Sequence, residues 1–162
     1  WIPGPRAGNT HLEGITALGK QDGLGLHLLP LETAGRLPHL LVKCRYENHL
    51  LTWVVDTGAE VTVMASESAD RLGIPSVASR SKIIDASGDR ASVRSAVLHN
   101  LLFGRLLVHE FQVAVTPLGP IRRTFKDRSG RPVDGIIGMD FLEKSSALLD
   151  TASRMLYLGS PP

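Results

Sequence analysis

Cysteine is nearly absent from this chain: Cys44 is the single one in 162 residues, so no intrachain disulfide can form. It sits in the apolar run Leu40-Leu41-Val42-Lys43-Cys44, the usual setting of a buried, inert thiol. A nucleophilic cysteine would need a partner histidine. The six histidines (His11, His27, His39, His49, His99, His109) form neither an HExxH motif nor a Cys/His ligand cluster, so neither a metal site nor a cofactor is expected. No apolar run approaches the roughly 18 residues that a spanning helix needs, and no membrane segment is expected within this stretch. A strong excess of one charge is missing too, the formal net charge being +2. Aromatic residues make up only 5%. The basic cluster Arg122, Arg123, Lys126, Arg128 and Arg131 has just Phe125 interleaved. Residues 117–132 therefore read as a solvated surface loop, and no nucleic-acid partner is expected.

What is present suits a globular domain. Hydrophobic residues are 43% and charged residues 21%, in a length that can bury one core. The chain starts at Trp1 rather than Met, as expected of a processed or excised fragment. Residues 1–36 are set apart by their density of glycine and proline, among them Pro3, Gly4, Pro5, Gly8 and Gly14. They read as an N-terminal arm lying on the domain or on a partner subunit, with short strands possible in it, such as 24–29. The domain proper is assigned to 37–162.

From Leu37 onward, short β-type runs are punctuated by turn residues. Strands are expected over 37–44, 50–55, 61–64, 81–85, 91–98, 101–103, 106–115, 147–149 and 155–158. Ser66 reads as the N-cap of a short helix that stops at Gly73, and 139–144 as a second short helix. Ala86-Ser87-Gly88-Asp89-Arg90 lies between two strand runs as a hairpin tip. Many short strands with little helix give an all-β barrel or sandwich.

Asp56 is the residue that stands out. It ends the mostly apolar run 51–55 and is followed at once by Thr57-Gly58-Ala59. A carboxylate at the inner end of a buried strand is costly unless it is hydrogen-bonded, paired or protonated. Gly58 allows close backbone approach, and the Thr57 hydroxyl can hold a neighbouring backbone. On these grounds alone Asp56 is either a turn-capping aspartate or a functional acid.

The longer run Trp53-Val54-Val55-Asp56-Thr57-Gly58-Ala59-Glu60-Val61-Thr62-Val63-Met64 resembles the active-site loop of retropepsin-like aspartic proteases. Val133-Asp134-Gly135-Ile136-Ile137-Gly138-Met139-Asp140-Phe141-Leu142 resembles the second motif of that family, two apolar residues and a glycine opening a short helix. Ala147-Leu148-Leu149-Asp150 resembles the strand that follows it in bacterial and LTR-retrotransposon members. The likeness spans roughly 37–158 and leaves the arm unaccounted for.

The resemblance implies a closed β-barrel lobe with a flap hairpin and one or two short helices, one lobe per chain. It implies an aspartic endopeptidase acting on polypeptides, with Asp56 as the catalytic acid. Such chemistry needs two carboxylates sharing a proton. Asp150-Thr151 imitates Asp56-Thr57, but Ala152 replaces the glycine and no second lobe follows, so Asp150 reads as a turn residue. Asp56 of a second copy is then the expected partner in a homodimer.

By the same resemblance, Thr57 locks the two loops together, and Gly58, Ala59 and Thr62 support the active-site loop. Gly58 and Glu60 line the peptide cleft, Ile136 and Ile137 wall an apolar subsite, and Ala86, Ser87 and Gly88 form the flap tip. Two positions depart from the retroviral pattern: Met139 stands where an arginine usually pairs with the acid of the loop, here Glu60, and the flap tip carries Ser87 and Asp89 beside one glycine. These departures leave open an alternative, a catalytically inactive module that keeps the fold for binding or dimerisation.

Overall fold

The structure is a computed structural model that describes residues 26–35, 37–84 and 90–159, with backbone alone for 80–84 and 90–92. Eleven strands and three short helices are present among the described residues. In chain order they are β1 (Leu26–Pro30), β2 (Glu32–Ala34), β3 (Leu37–Tyr46), β4 (His49–Val55), β5 (Val63–Ala65), helix α1 (Ser66–Arg71), β6 (Val77–Ile84), β7 (Arg90–Phe103), β8 (Leu106–Thr116), helix α2 (Gly119–Ser129), β9 (Gly135–Ile137), helix α3 (Met139–Lys144), β10 (Leu148–Asp150) and β11 (Met155–Gly159). The main sheet runs β2-β3-β4-β9-β5-β8-β7-β6, and an added β3–β7 pairing at Arg45↔Leu102 closes six of its strands into a barrel. A three-stranded sheet, β1-β11-β10, lies beside it. The fold is thus the all-β barrel expected from the sequence.

Period-2 alternation builds the wall. In β8, Leu106 and Val108, and after one change of phase Phe111, Val113 and Val115, are buried while most residues between them are exposed, as a strand with one wet face requires. The sequence suggests two runs, 91–98 and 101–103, where the structure has the single strand β7. Asn100 joins them at φ 56, a left-handed value that asparagine tolerates, and beyond it the buried face changes phase from Leu98 to Leu101. The interior is centred on Trp53, Phe103 and Phe141, all 2% exposed or less. The Phe141 ring lies 5.0 Å from that of Phe103 and 5.1 Å from that of Phe111, and such pairs add about 0.5–1.5 kcal/mol to area burial.

Helix α1 begins differently from the expectation. Ser66 is its first helical residue, and the cap is Ala65, extended and without a side-chain bond. The strand claims Ala65 because its N–H donates to the Asp134 carbonyl and it pairs with Thr116 of β8. Gly73, at φ +65, ends the helix as expected.

The reading of 117–132 as a loop is corrected as well: α2 fills most of it. Pro120 sits in the first turn, where its missing N–H costs nothing, and Gly130 closes the helix at φ 76 with its N–H on the Lys126 carbonyl. Leu118, Ile121 and Phe125 turn one apolar face inward against Val54, Val63 and Ile136. Glu67 Oε2 accepts from the Leu118 amide at the N-terminal end, while Lys126 and Arg128 occupy the last turn, so charges match the helix dipole at both ends. The density of arginine concealed an apolar stripe of only three residues.

β1 and β2 come from the segment set apart on composition, and they pair with β11 and β3. β6 and β7 pair up to Ile84↔Arg90, so the proposed flap tip at Ala86, Ser87 and Gly88 lies outside the described residues.

Candidate active site

β4 delivers Asp56 to the surface from a buried start. Leu51, Trp53 and Val54 are 3% exposed or less, whereas Asp56, Thr57 and Gly58 are exposed. β3 flanks β4 on one side, with Leu40 opposite Val55, and β9 on the other, with Ile137 beside Val55 in parallel. Beyond the last rung the Asp56 amide still donates to the Ile137 carbonyl, at 3.0 Å. The chain then folds back. The Ala59 amide donates to the Asp56 carbonyl (3.2 Å) and the Gly58 amide to Asp56 Oδ1 (2.9 Å). Asp56 Oδ2 makes no hydrogen bond among the described residues. One carboxylate oxygen is therefore oriented by backbone while the other is left open.

The loop 56–62 rests on the start of α3. The Met139 amide donates to the Ala59 carbonyl (2.8 Å) and the Asp140 amide to the Glu60 carbonyl (3.2 Å). Thr62 Oγ1 donates to Asp140 Oδ1 (2.7 Å) and accepts from the Gly138 amide (3.1 Å), and Asp140 Oδ1 also accepts from the Phe141 amide (2.8 Å). The orphan N–H groups of the first helical turn are thus consumed by the loop and by Asp140. This engagement also explains why β5 starts at Val63 and not at Val61: Thr62 faces α3. A Cβ at Gly138 would stand 2.6 Å from the Val61 carbonyl carbon, so only glycine lets loop and helix meet.

The structure brings Asp56, Gly58, Ala59, Glu60, Thr62 and the β9 isoleucines together. Glu60 is exposed, and among the described residues it makes no salt bridge, Met139 offering none. Thr57 is exposed, with no side-chain bond within the described part of the chain. Ile137 is 1% exposed and belongs to the barrel core; Ile136, half-buried, is the one that offers surface. Asp150, 8% exposed, accepts from the Ala152 and Ser153 amides and the Ser153 hydroxyl, holding its own turn. Cys44 is 1% exposed, and burial pushes its thiol up to about 12, with the Trp53 indole N–H on its sulfur. It is no nucleophile.

Two carboxylates were not singled out from the sequence. Asp140 was legible only as the second residue after the glycine, in the first turn of a helix, where an acid is favoured. Asp134 is 7% exposed. Its Oδ1 accepts from Ser68 Oγ (2.7 Å) and Arg71 Nη2 (2.8 Å), and its Oδ2 from the Thr52 amide (2.9 Å). Arg122 Nη1 lies 3.9 Å away. Nothing in the local sequence marks Asp134 as buried, since its hydrogen-bond partners come from two distant segments, β4 and α1.

The aspartyl protease family model matches residues 42–141, more than half of the chain and the whole of the site just described. The chain belongs to that family. Relatives of this aspartyl protease family member include human Protein DDI1 homolog 1, 25% identical over 129 residues, and mouse Protein DDI1 homolog 2, 24% identical. Each of these alignments covers 80% of this chain and 30% of the relative, so the chain spans about a third of the curated relatives it matches. Among solved structures, a retropepsin-like aspartic protease from Rickettsia conorii superposes with a TM-score of 0.56 at 18% identity, covering 83% of this chain and 98% of that one. The EIAV protease complexed with the inhibitor HBY-793 gives 0.51 at 16% identity, covering 68% and 90%. The barrel is therefore of the retropepsin-like fold.

Proposed function

We propose that the protein is an aspartic endopeptidase, active as a homodimer in which the two Asp56 carboxylates meet across the two-fold axis. The observation that carries this reading is the state of Asp56: one oxygen fixed by the Gly58 amide, the other open, on an exposed loop, with the rival Asp150 committed to its own turn. One chain supplies one half of the chemistry. Two carboxylates about 3 Å apart cannot both ionise, so the pair shares one proton. The ionised member takes a proton from water as the water attacks the peptide carbonyl, and the protonated member donates to the carbonyl oxygen. The pKa values belong to the pair.

The protease unit is taken as residues 37–162, with β1 and β2 of the preceding segment laid on it. Thr57, free of partners in the described part of its own chain, is assigned to the opposite loop. An extended peptide lies between the loop and the hairpin of β6 and β7, held through backbone bonds near Gly58, Glu60 and the tip Ala86-Ser87-Gly88. Ile136 supplies the apolar surface, rather than Ile137 behind it. Met139, and a Glu60 that makes no salt bridge among the described residues, favour a second reading, a dimer too weak to turn over, in which the fold serves binding alone.

The test is digestion of a peptide library by wild type and by Asp56→Ala, from pH 3 to 8. Cleavage by wild type alone supports the protease. Equal background from both, at every pH and protein concentration, refutes it.

A further inference from the structure

Asp134 is a buried carboxylate that the proposed chemistry does not use, and it stands where four elements meet. Its own amide donates to the Thr52 carbonyl (2.7 Å) while its Oδ2 accepts from the Thr52 amide (2.9 Å). One residue thus grips both backbone polar groups of Thr52 in β4. Its carbonyl accepts from the Ala65 amide at the end of β5 (2.9 Å). Its Oδ1 takes two donors from α1, Ser68 and Arg71. Arg122 of α2 completes the cluster, giving its Nη1 to Ser68 Oγ (2.6 Å) and to the Val133 carbonyl.

The grip falls at a short strand, which has two further antiparallel rungs to β5, Val63↔Ile136 and Met64↔Gly135. β9 has three residues, and its parallel ladder to β4 has three rungs, Trp53↔Gly135, Val54↔Ile136 and Val55↔Ile137. A slip of one residue would turn every side chain to the other face, expelling Ile137 from the core and moving the carbonyl that holds the Asp56 amide. The Thr52 bracket lies one position before the first rung and fits a single register.

We infer that Asp134 is a positioning residue for the site: it fixes the register of β9 against β4, and through Arg122 it ties that register to the inserted helix α2. The catalytic consequence rests on the proposed role of Asp56; the structural content does not. The carboxylate is needed because all its described neighbours donate. An amide in its place would set its NH2 against either the Thr52 N–H or the Arg71 guanidinium, donor facing donor, at a side chain 10% exposed.

The experiment compares wild type, Asp134→Asn and a control of matched stability loss in β8, Val113→Ala, all as the full chain. Amide hydrogen exchange is read residue by residue, with kcat and KM on a cleaved peptide. Asp134→Asn is expected to lower protection at the Thr52 and Asp56 amides about tenfold more than in β7 and β8, where the control shows no such contrast. Its kcat should fall about tenfold with KM nearly unchanged. The same exchange profile in Asp134→Asn and the control would overturn the inference. Should Asp134→Asn fail to fold, Ser68→Ala, which removes a single donor, is read against the same expectation. A wild type that cleaves nothing counts against the protease alone, and the exchange profile still decides the role of Asp134.

Discussion

The amide of Asp56 is bonded to the carbonyl of Ile137 at 3.0 Å, so the acid is fastened to a strand 81 residues further along the chain. The carboxylate is exposed, but its backbone continues a buried parallel ladder, and its own oxygen is aimed by Gly58. A rigid backbone under an accessible side chain is what a shared-proton dyad requires. The fastenings around it give the following expectations.

Gly138 lets α3 meet the loop 56–62. A methyl group there meets Val61 backbone at 2.6–2.7 Å and the Ala59 carbonyl oxygen at 2.8 Å, none of which is a flexible side-chain end. Gly138→Ala is expected to cost about 1–3 kcal/mol in urea unfolding and to abolish cleavage by the folded fraction. Wild-type stability in this variant would show that loop and helix do not pack as described.

Thr62 joins the loop to the helix through one hydroxyl that both accepts and donates. Thr62→Val keeps the shape and strands the buried Gly138 amide and one bond of Asp140. A loss of about 1–3 kcal/mol is expected by denaturant titration, with Thr62→Ser losing less. Equal losses for the two variants would assign the effect to packing rather than to the hydroxyl.

Asp150 mimics Asp56 in sequence and not in role. Asp150→Ala is expected to lower stability by about 1–3 kcal/mol, since two amides and a hydroxyl lose their acceptor, while cleavage per folded molecule stays at the wild-type level. Loss of turnover in a folded, dimeric Asp150→Ala would place the second carboxylate in the same chain.

Cys44 gives the pH dependence a sign. Burial raises its thiol from 9.0 to about 12, so above pH 9 the unfolded chain releases a proton that the folded chain keeps. Stability from this group is complete below pH 9 and declines by about 1.4 kcal/mol per pH unit towards pH 12. Urea midpoints of wild type and Cys44→Ala, measured from pH 8 to 10.5, should diverge in slope above pH 9. Parallel curves would mean that the thiol is not buried as described.

Much of this was legible in the sequence, for identifiable reasons. Strands β3, β4 and β8 and the helix 139–144, which follows a glycine that sterics demand, lie within two residues of the expected ranges, whereas the three-residue β9, too short to show a period, is absent from the expectation. Asp56 stands out because its apolar approach and its Thr-Gly turn are contiguous, but only the longer run 53–64, through its family resemblance, separates a functional acid from a turn cap. Helix α2 is not legible, because its three inward residues are diluted among arginines and the apolar partners Val54 and Val63 that they meet are remote in sequence. Asp134 and Asp140 escaped for the same reason: what defines them is the set of donors that folding gathers, from Thr52, Thr62, Ser68 and Arg71.

The proposed dependence of Asp56 on a second Asp56 is tested most directly by subunit mixing. Wild type at fixed concentration is re-equilibrated with increasing Asp56→Asn chain, and peptide cleavage is followed alongside sedimentation. If the site is shared across a two-fold axis, cleavage per wild-type chain falls as mixed dimers form, to about half at equal amounts, and specific activity of wild type alone rises with its concentration. Cleavage per wild-type chain that ignores both the added Asp56→Asn chain and dilution would contradict the shared site.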